Sequence, residues 1–151
     1  MFTQLLVPLD GSPASELALR YAFRLSSRLH LVHVALSRPT ESQHYRMVPA
    51  EIRQQKEQYL KELVARLSRP GRKLTWSVEE ADAAADGIVA CARRVRASAI
   101  VMTTQGRTGL SRILLGSVTE KVTRHAPCPV LSARLEVAER KLEAATASAA
   151  S

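Results

Sequence analysis

The chain has 151 residues, of which 46% are hydrophobic and 24% charged, with a formal net charge of +8. That length suits one domain with a proper core, and the positive field favours anionic ligands in general. The opening MFTQLLVPLDGS has no basic segment followed by a long apolar one, and no apolar run approaches the roughly 18 residues of a spanning helix. A secretory leader and a membrane span are therefore not expected, and the location expected is cytoplasmic.

QLLVPLD (4–10) reads as a strand ending in the turn Asp10-Gly11. Ser12 and Pro13 open a helix as cap and first helical residue, and Leu17, Ala18, Tyr21, Ala22 and Leu25 give it one apolar stripe. LHLVHVAL (29–36) is a second strand, apolar nearly throughout, which casts His33 as a satisfied core histidine. The polar, proline-flanked segment 37–49 reads as a long loop. A helix over 50–67 follows, with Glu57–Lys61 and Glu62–Arg66 at ion-pair spacing on its outer face.

KLTWSVEE (73–80) alternates as a third strand, and ADAAADGIVACARRVRA (81–97) is a third helix with Asp82 as a plausible cap. Gly87 inside it costs about 1 kcal/mol relative to alanine, with no reason visible in the sequence. SAIVMT (98–103) is the fourth strand. A glycine-bearing stretch leads to a helix over 117–125, and PCPVLSA (127–133) is the fifth strand. His125, near that helix's C-terminus, suits the dipole and needs no catalytic role. Residues 135–151 form a C-terminal extension, weakly helical to disordered. Apolar strands alternating with helices imply a doubly wound α/β domain over 1–134, a parallel sheet with helices on both faces. Ligands of such sheets bind at the carboxyl ends of the strands.

Cys91 and Cys128 lack zinc-ligand spacing and read as small core hydrophobes. The basic residues are dispersed and aromatics are only 4% of the chain, so a nucleic-acid site is not expected. No nucleophile–base–orienter set and no metal cluster are evident.

The distinctive chemistry lies in TTQGRTGLSRILLGSVTEKV (103–122), where a buried strand runs into glycines and then a helix start. Bare backbone N–H groups and the positive helix end together make an anion cradle. The same Ser117-Val-Thr-Glu120 also fits a capping box, so the residues alone leave cradle and plain helix cap both open.

The phrases LLVPLDGS, LHLVHV and above all GRTGLSRILLGSVTEKVTRHAPCPVL resemble the universal stress protein family over about residues 3–134. The resemblance implies a Rossmann-like, adenine-nucleotide-binding fold with five parallel strands ordered 3-2-1-4-5. It also implies a homodimer paired through the fifth strand at Val130, Leu131, Ser132 and Ala133. One branch of that family binds ATP, possibly with Mg²⁺, through a G-x2-G-x9-G-[ST] loop; another branch lacks the loop. Here Gly106, Gly116 and Ser117 match that loop, but Thr103 stands at its first glycine. If position 103 needs a positive φ, threonine costs on the order of 1–2 kcal/mol there. Carried over residue by residue, Pro8, Leu9, Asp10 and the backbone at Val34 would meet the nucleoside. Gly106, Arg107, Gly116, Ser117, Val118 and Thr119 would surround the phosphates, and Met102 and Thr103 also belong to the nucleotide site. The function implied is a nucleotide-responsive stress or signalling protein, with a nucleotide-free dimeric adaptor or a slow ATPase or autokinase as alternatives.

Overall fold

Alternation decides which face each strand residue serves, and in a sheet buried on both sides that sorts the apolar residues into two cores. The computed structural model describes residues 2–39, 46–104 and 116–134 and the single position 148. Its main sheet consists of β1 (Leu5–Pro8), β2 (Arg28–Leu36), β5 (Lys73–Ala81), β6 (Ala99–Thr104) and β7 (Val130–Arg134). They are all parallel, in the order β5-β2-β1-β6-β7. Counting only these five, that is 3-2-1-4-5, the order implied by the family resemblance.

Helices α1 (Pro13–Leu25) and α2 (Ala50–Leu67) cover one face. There Leu5, Val7, Leu29, Leu31 and Val101 meet Ala18, Leu19, Leu60 and Leu63. Helices α3 (Ala84–Arg94) and α4 (Ser117–His125) cover the other, where Leu6, Val32 and Ile100 meet Ile88, Cys91 and Val122. Burial lifts the Cys91 thiol to about 11, so it behaves as a hydrophobe. Within 37–49, the short strands β3 (Arg38–Pro39) and β4 (Arg46–Met47) pair antiparallel, where the sequence suggested only a loop. The C-terminal extension lies outside the described residues.

The pairing of β1 with β6 is short for a reason in the sequence. The Leu9 N–H donates to the Val32 carbonyl at 2.8 Å, while the Gln4 carbonyl accepts from the Ser98 N–H at 2.8 Å. Odd positions of β1 thus hydrogen-bond toward β2 and even positions toward β6. Pro8 is even and has no N–H to offer. The β1–β6 register runs only through Leu5–Ala99 and Leu6–Ile100, and beyond it the sheet opens.

Two local expectations are corrected, and one open point is explained. Asp82 does not cap α3: the N-cap is Ala83, without a side-chain bond, and Asp82 instead accepts from the Ser37 hydroxyl. The spaced pairs on α2 choose other partners. Glu57 takes Arg53 at 3.1 Å, Lys61 lies over the Trp76 ring, and Arg66 reaches across to Glu16 of α1 at 2.6 Å. Gly87, unexplained in the sequence, sits where α3 presses on β2: a Cβ there would come within 2.8 Å of both Val34 methyl carbons.

α3 ends in a Schellman motif, the Ala97 N–H on the Ala92 carbonyl at 2.9 Å and the Arg96 N–H on the Arg93 carbonyl at 3.2 Å. Its left-handed position is filled by Arg96 at φ 52° rather than by glycine.

Two substitutions should move stability in opposite directions. Gly87→Ala is expected to cost about 1–2 kcal/mol, the Val34 overlap exceeding the gain in helix propensity. Arg96→Gly is expected to add about 0.5–1 kcal/mol by relieving the left-handed backbone. Urea denaturation midpoints of the two variants against the parent chain decide both.

Candidate functional site

Where the sheet opens beyond Pro8, a cavity of about 920 Å³ lies over the carboxyl ends of β1, β2 and β6. Its size is that of a small-molecule site. Three stretches of chain build it.

The β1–α1 turn supplies Asp10. Gly11, at φ +84°, turns the chain there, and Ser12 caps α1 by accepting from the Ser15 N–H at 3.1 Å. The Asp10 carboxylate accepts the Ser12 N–H at 2.9 Å, and the Asp10 N–H donates to the Ser15 hydroxyl oxygen at 3.3 Å. Burial pushes the Asp10 carboxyl up, but the hydrogen bonds from Ser12 and Ser15 and the nearby His33 hold it below its usual range. It is therefore an anion at neutral pH, fixed in place by the turn.

The N-terminus of α4 supplies the opposite wall with Gly116, Ser117, Val118 and Thr119. The capping-box expectation is wrong by one residue. Gly116 is the N-cap, its carbonyl taking the Glu120 N–H at 2.9 Å, and no side chain caps the helix. Glu120 pairs with Arg124 at 2.9 Å instead of turning back. The first-turn N–H groups of α4 therefore lack an intrahelical partner and carry the positive dipole end.

Gly116 is a favoured N-cap residue, but neither a strained backbone nor close packing within the described chain demands it. Its φ is −52°, open to any residue, and a Cβ built on it would meet nothing within 4 Å. Thr103 settles differently from the conditional penalty drawn from the sequence. It lies in β6 without a positive φ, and its hydroxyl donates to the Ala14 carbonyl at 3.1 Å, tying the strand to the start of α1.

The third contribution is absent from the sequence reading. His33 is 7% exposed, stacks edge-on against Tyr59 of α2, and leaves its buried Nδ1 without a hydrogen-bond partner. It lines the cavity and is not the satisfied core histidine expected. Lys56, from α2, places Nζ 3.3 Å from His33 Nε2. Burial, then the Lys56 charge, push the His33 imidazole down to about 4, so it is neutral and Nε2 accepts from the ammonium. Burial also lowers Lys56, with Asp10 acting against the shift.

Of the residues named from the sequence, Pro8, Leu9, Asp10, Val34, Met102, Thr103, Gly116, Ser117, Val118 and Thr119 line this one cavity. Gly106 and Arg107 lie outside the described residues. The sequence reading missed His33 and Lys56, and also Ser15 and Ile52. Among the described residues, no group of three or more His, Cys, Asp or Glu could hold a metal ion, and no helix is long and apolar enough to cross a membrane.

A crevice at the point where helices pass to opposite faces of a parallel sheet defines a Rossmann-like α/β protein. The profile of the universal stress protein family matches residues 1–134, and the chain belongs to that family. The universal stress protein MJ0531 of Methanocaldococcus jannaschii is 31% identical over 140 residues, which cover 87% of this chain and 81% of that protein. A crystal structure of a universal stress family protein from Burkholderia pseudomallei superposes with a TM-score of 0.65 at 28% identity, over 87% of this chain and 95% of that one. A universal stress protein solved in complex with cAMP shares the fold, with a TM-score of 0.66 at 23% identity, over 87% of this chain and 97% of that one.

The two buried histidines make stability depend on acid. On the α3 side of the sheet, His30 holds Thr75 Oγ1 at 2.7 Å and Ser77 Oγ at 2.9 Å. Burial, and then Arg94, push it down to about 4 against the pull of Glu79. Both rings are neutral in the fold but protonate near 6.5 when unfolded, so the unfolded chain binds more protons between those values. Stability is thus fully present above about pH 6.5 and drains as pH falls toward 4, by on the order of 2–3 kcal/mol per histidine. Urea titrations at pH 7 and pH 4.5 measure this. Equal stability at both would refute the neutral assignment.

Proposed function

We propose that this universal stress protein binds an adenine nucleotide in the cavity, ATP with Mg²⁺ in its full form, as a nucleotide-responsive stress or signalling protein. The observation that carries the reading is the wall at Gly116, which lines the cavity and where a Cβ would meet no atom within 4 Å. The bare backbone there leaves room for a ligand to come close. Beside it, the unpaired N–H groups of the α4 first turn suit phosphate oxygens. Asp10, kept ionised, is an acceptor suited to ribose hydroxyls, and Val34 and Met102 offer an apolar bed for a purine.

In this reading Mg²⁺ rides chiefly on the phosphates. Residues 1–134 are the working unit, residues 135–151 an appendage, and the setting cytoplasmic. The protein works as a homodimer, pairing β7 with its copy along Val130–Ala133; Leu131 is exposed there. Among the described residues of the cavity no nucleophile with its base is evident, and the role proposed is binding and signalling, with a slow ATPase or autokinase as the alternative.

ATP at about 100 times its Kd should add roughly 2.7 kcal/mol of stability, a rise in Tm of about 5–10 °C for a chain of this length. Gly116→Val should abolish that rise, while the ligand-free Tm falls only modestly through the loss of a favoured N-cap residue. A parent chain indifferent to ATP, ADP and AMP, with and without Mg²⁺, would leave a nucleotide-free adaptor in place of this reading.

A further inference from the structure

The two walls of the cavity differ in charge. α4 lies on one face of the sheet and presents helix N–H groups, and its nearest carboxylate, Glu120, is turned away to Arg124. α2 lies on the opposite face and presents the ammonium of Lys56, close enough to feel the charge of Asp10 and to act on His33 with its own. The carboxylates of Glu57 and Glu80 on that side are both engaged by Arg53, at 3.1 and 2.6 Å. Among the described residues, Lys56 Nζ is held by the imidazole of His33.

A fixed carboxylate beside an ammonium makes the α2 wall nearly neutral in sum but rich in both acceptors and donors. Such a surface gains little from a phosphate, which the carboxylate repels, and much from an uncharged group that bears hydroxyls and ring nitrogens together. A lysine left to itself would carry its ammonium out to water. The 3.3 Å contact with a histidine 7% exposed keeps it turned inward. It also assigns the ring proton to Nδ1, a buried atom that makes no full hydrogen bond and lies within the influence of the Val34 backbone.

Building on the nucleotide reading above, we infer that Lys56 is a specificity-determining residue for the nucleoside half of the ligand. It donates to a ribose oxygen or purine ring nitrogen opposite Asp10, while His33 is the positioning residue that aims it. The α4 wall then takes charge and the α2 wall takes identity.

Calorimetric titration of the full chain with adenosine, ATP and inorganic tripolyphosphate separates the two walls. Lys56→Met should weaken adenosine and ATP by the same factor, about tenfold, and leave tripolyphosphate unchanged; Lys56→Gln should follow it. His33→Leu should keep the Tm at neutral pH and lose adenosine affinity to a similar extent, and the double variant should be no worse than either single one. A loss confined to ATP and tripolyphosphate would make Lys56 a phosphate ligand and overturn the inference, as would unchanged adenosine binding in Lys56→Met. Additive losses in the double variant would remove His33 as the positioning group. A parent chain that takes up none of the three probes would defeat the nucleotide reading itself, and this inference with it.

Discussion

A missing hydrogen atom opens this molecule. In a parallel sheet each residue hydrogen-bonds to one side only, and in β1 the even positions face β6. Pro8 therefore breaks the one ladder that would have closed the centre of the sheet, while Leu9 continues to pair with β2. The helices that leave β1 and β6 also lie on opposite faces, so no helix crosses over the gap. Asp10, Thr103 and the start of α4 reach the same cavity because the strands before them stop pairing at that point.

How legible this was depends on the range of the forces involved. The five strands of the main sheet and the four helices come from local periodicity, and the parallel arrangement follows from alternation of the two periods; the order of the strands came only with the family resemblance. The cavity lining near Asp10 and at 116–119 was also legible, since strand ends of a doubly wound sheet converge by topology. Boundaries shifted by a few residues where capping was involved. Gly116, not Ser117, accepts the first helical bond, and Ala83 rather than Asp82 starts α3.

What sequence could not show is contact between distant segments. Lys56 lies on an amphipathic helix beside Glu57, where periodicity places it among solvated charges. Only the overhang of α2 at the edge of the sheet turns it inward, onto His33, 23 positions away in the chain. His33 has the inverse problem. An apolar strand predicts a buried histidine, and it is buried, but its Nδ1 lacks the partner that a structural histidine such as His30 has on both nitrogens. Gly87 is similar: its cost in helix propensity is visible locally, and its cause, the Val34 methyl groups, is visible only in three dimensions.

The two histidines also show how one residue type serves two purposes in one sheet. His30 points to the α3 side and is wrapped by Thr75 and Ser77 of the edge strand β5, with Ser77 passing the chain on to Glu79 at 2.9 Å. Every polar atom there has a partner, so the network stiffens the pairing of β2 with its edge and offers a ligand nothing. His33, three residues on and therefore on the opposite face, meets a lysine and an orphaned valence at the mouth of the cavity. The strand alternation that sorts apolar residues into two cores also sorts these imidazoles, one to structure and one to the site. A shift of register by one residue would turn each ring to the opposite face, taking His33 away from Lys56 and His30 away from the α3 side. The β1–β2 register, fixed from Leu5–Leu29 to Pro8–Val32, is thus as much a determinant of the site as any side chain that lines it.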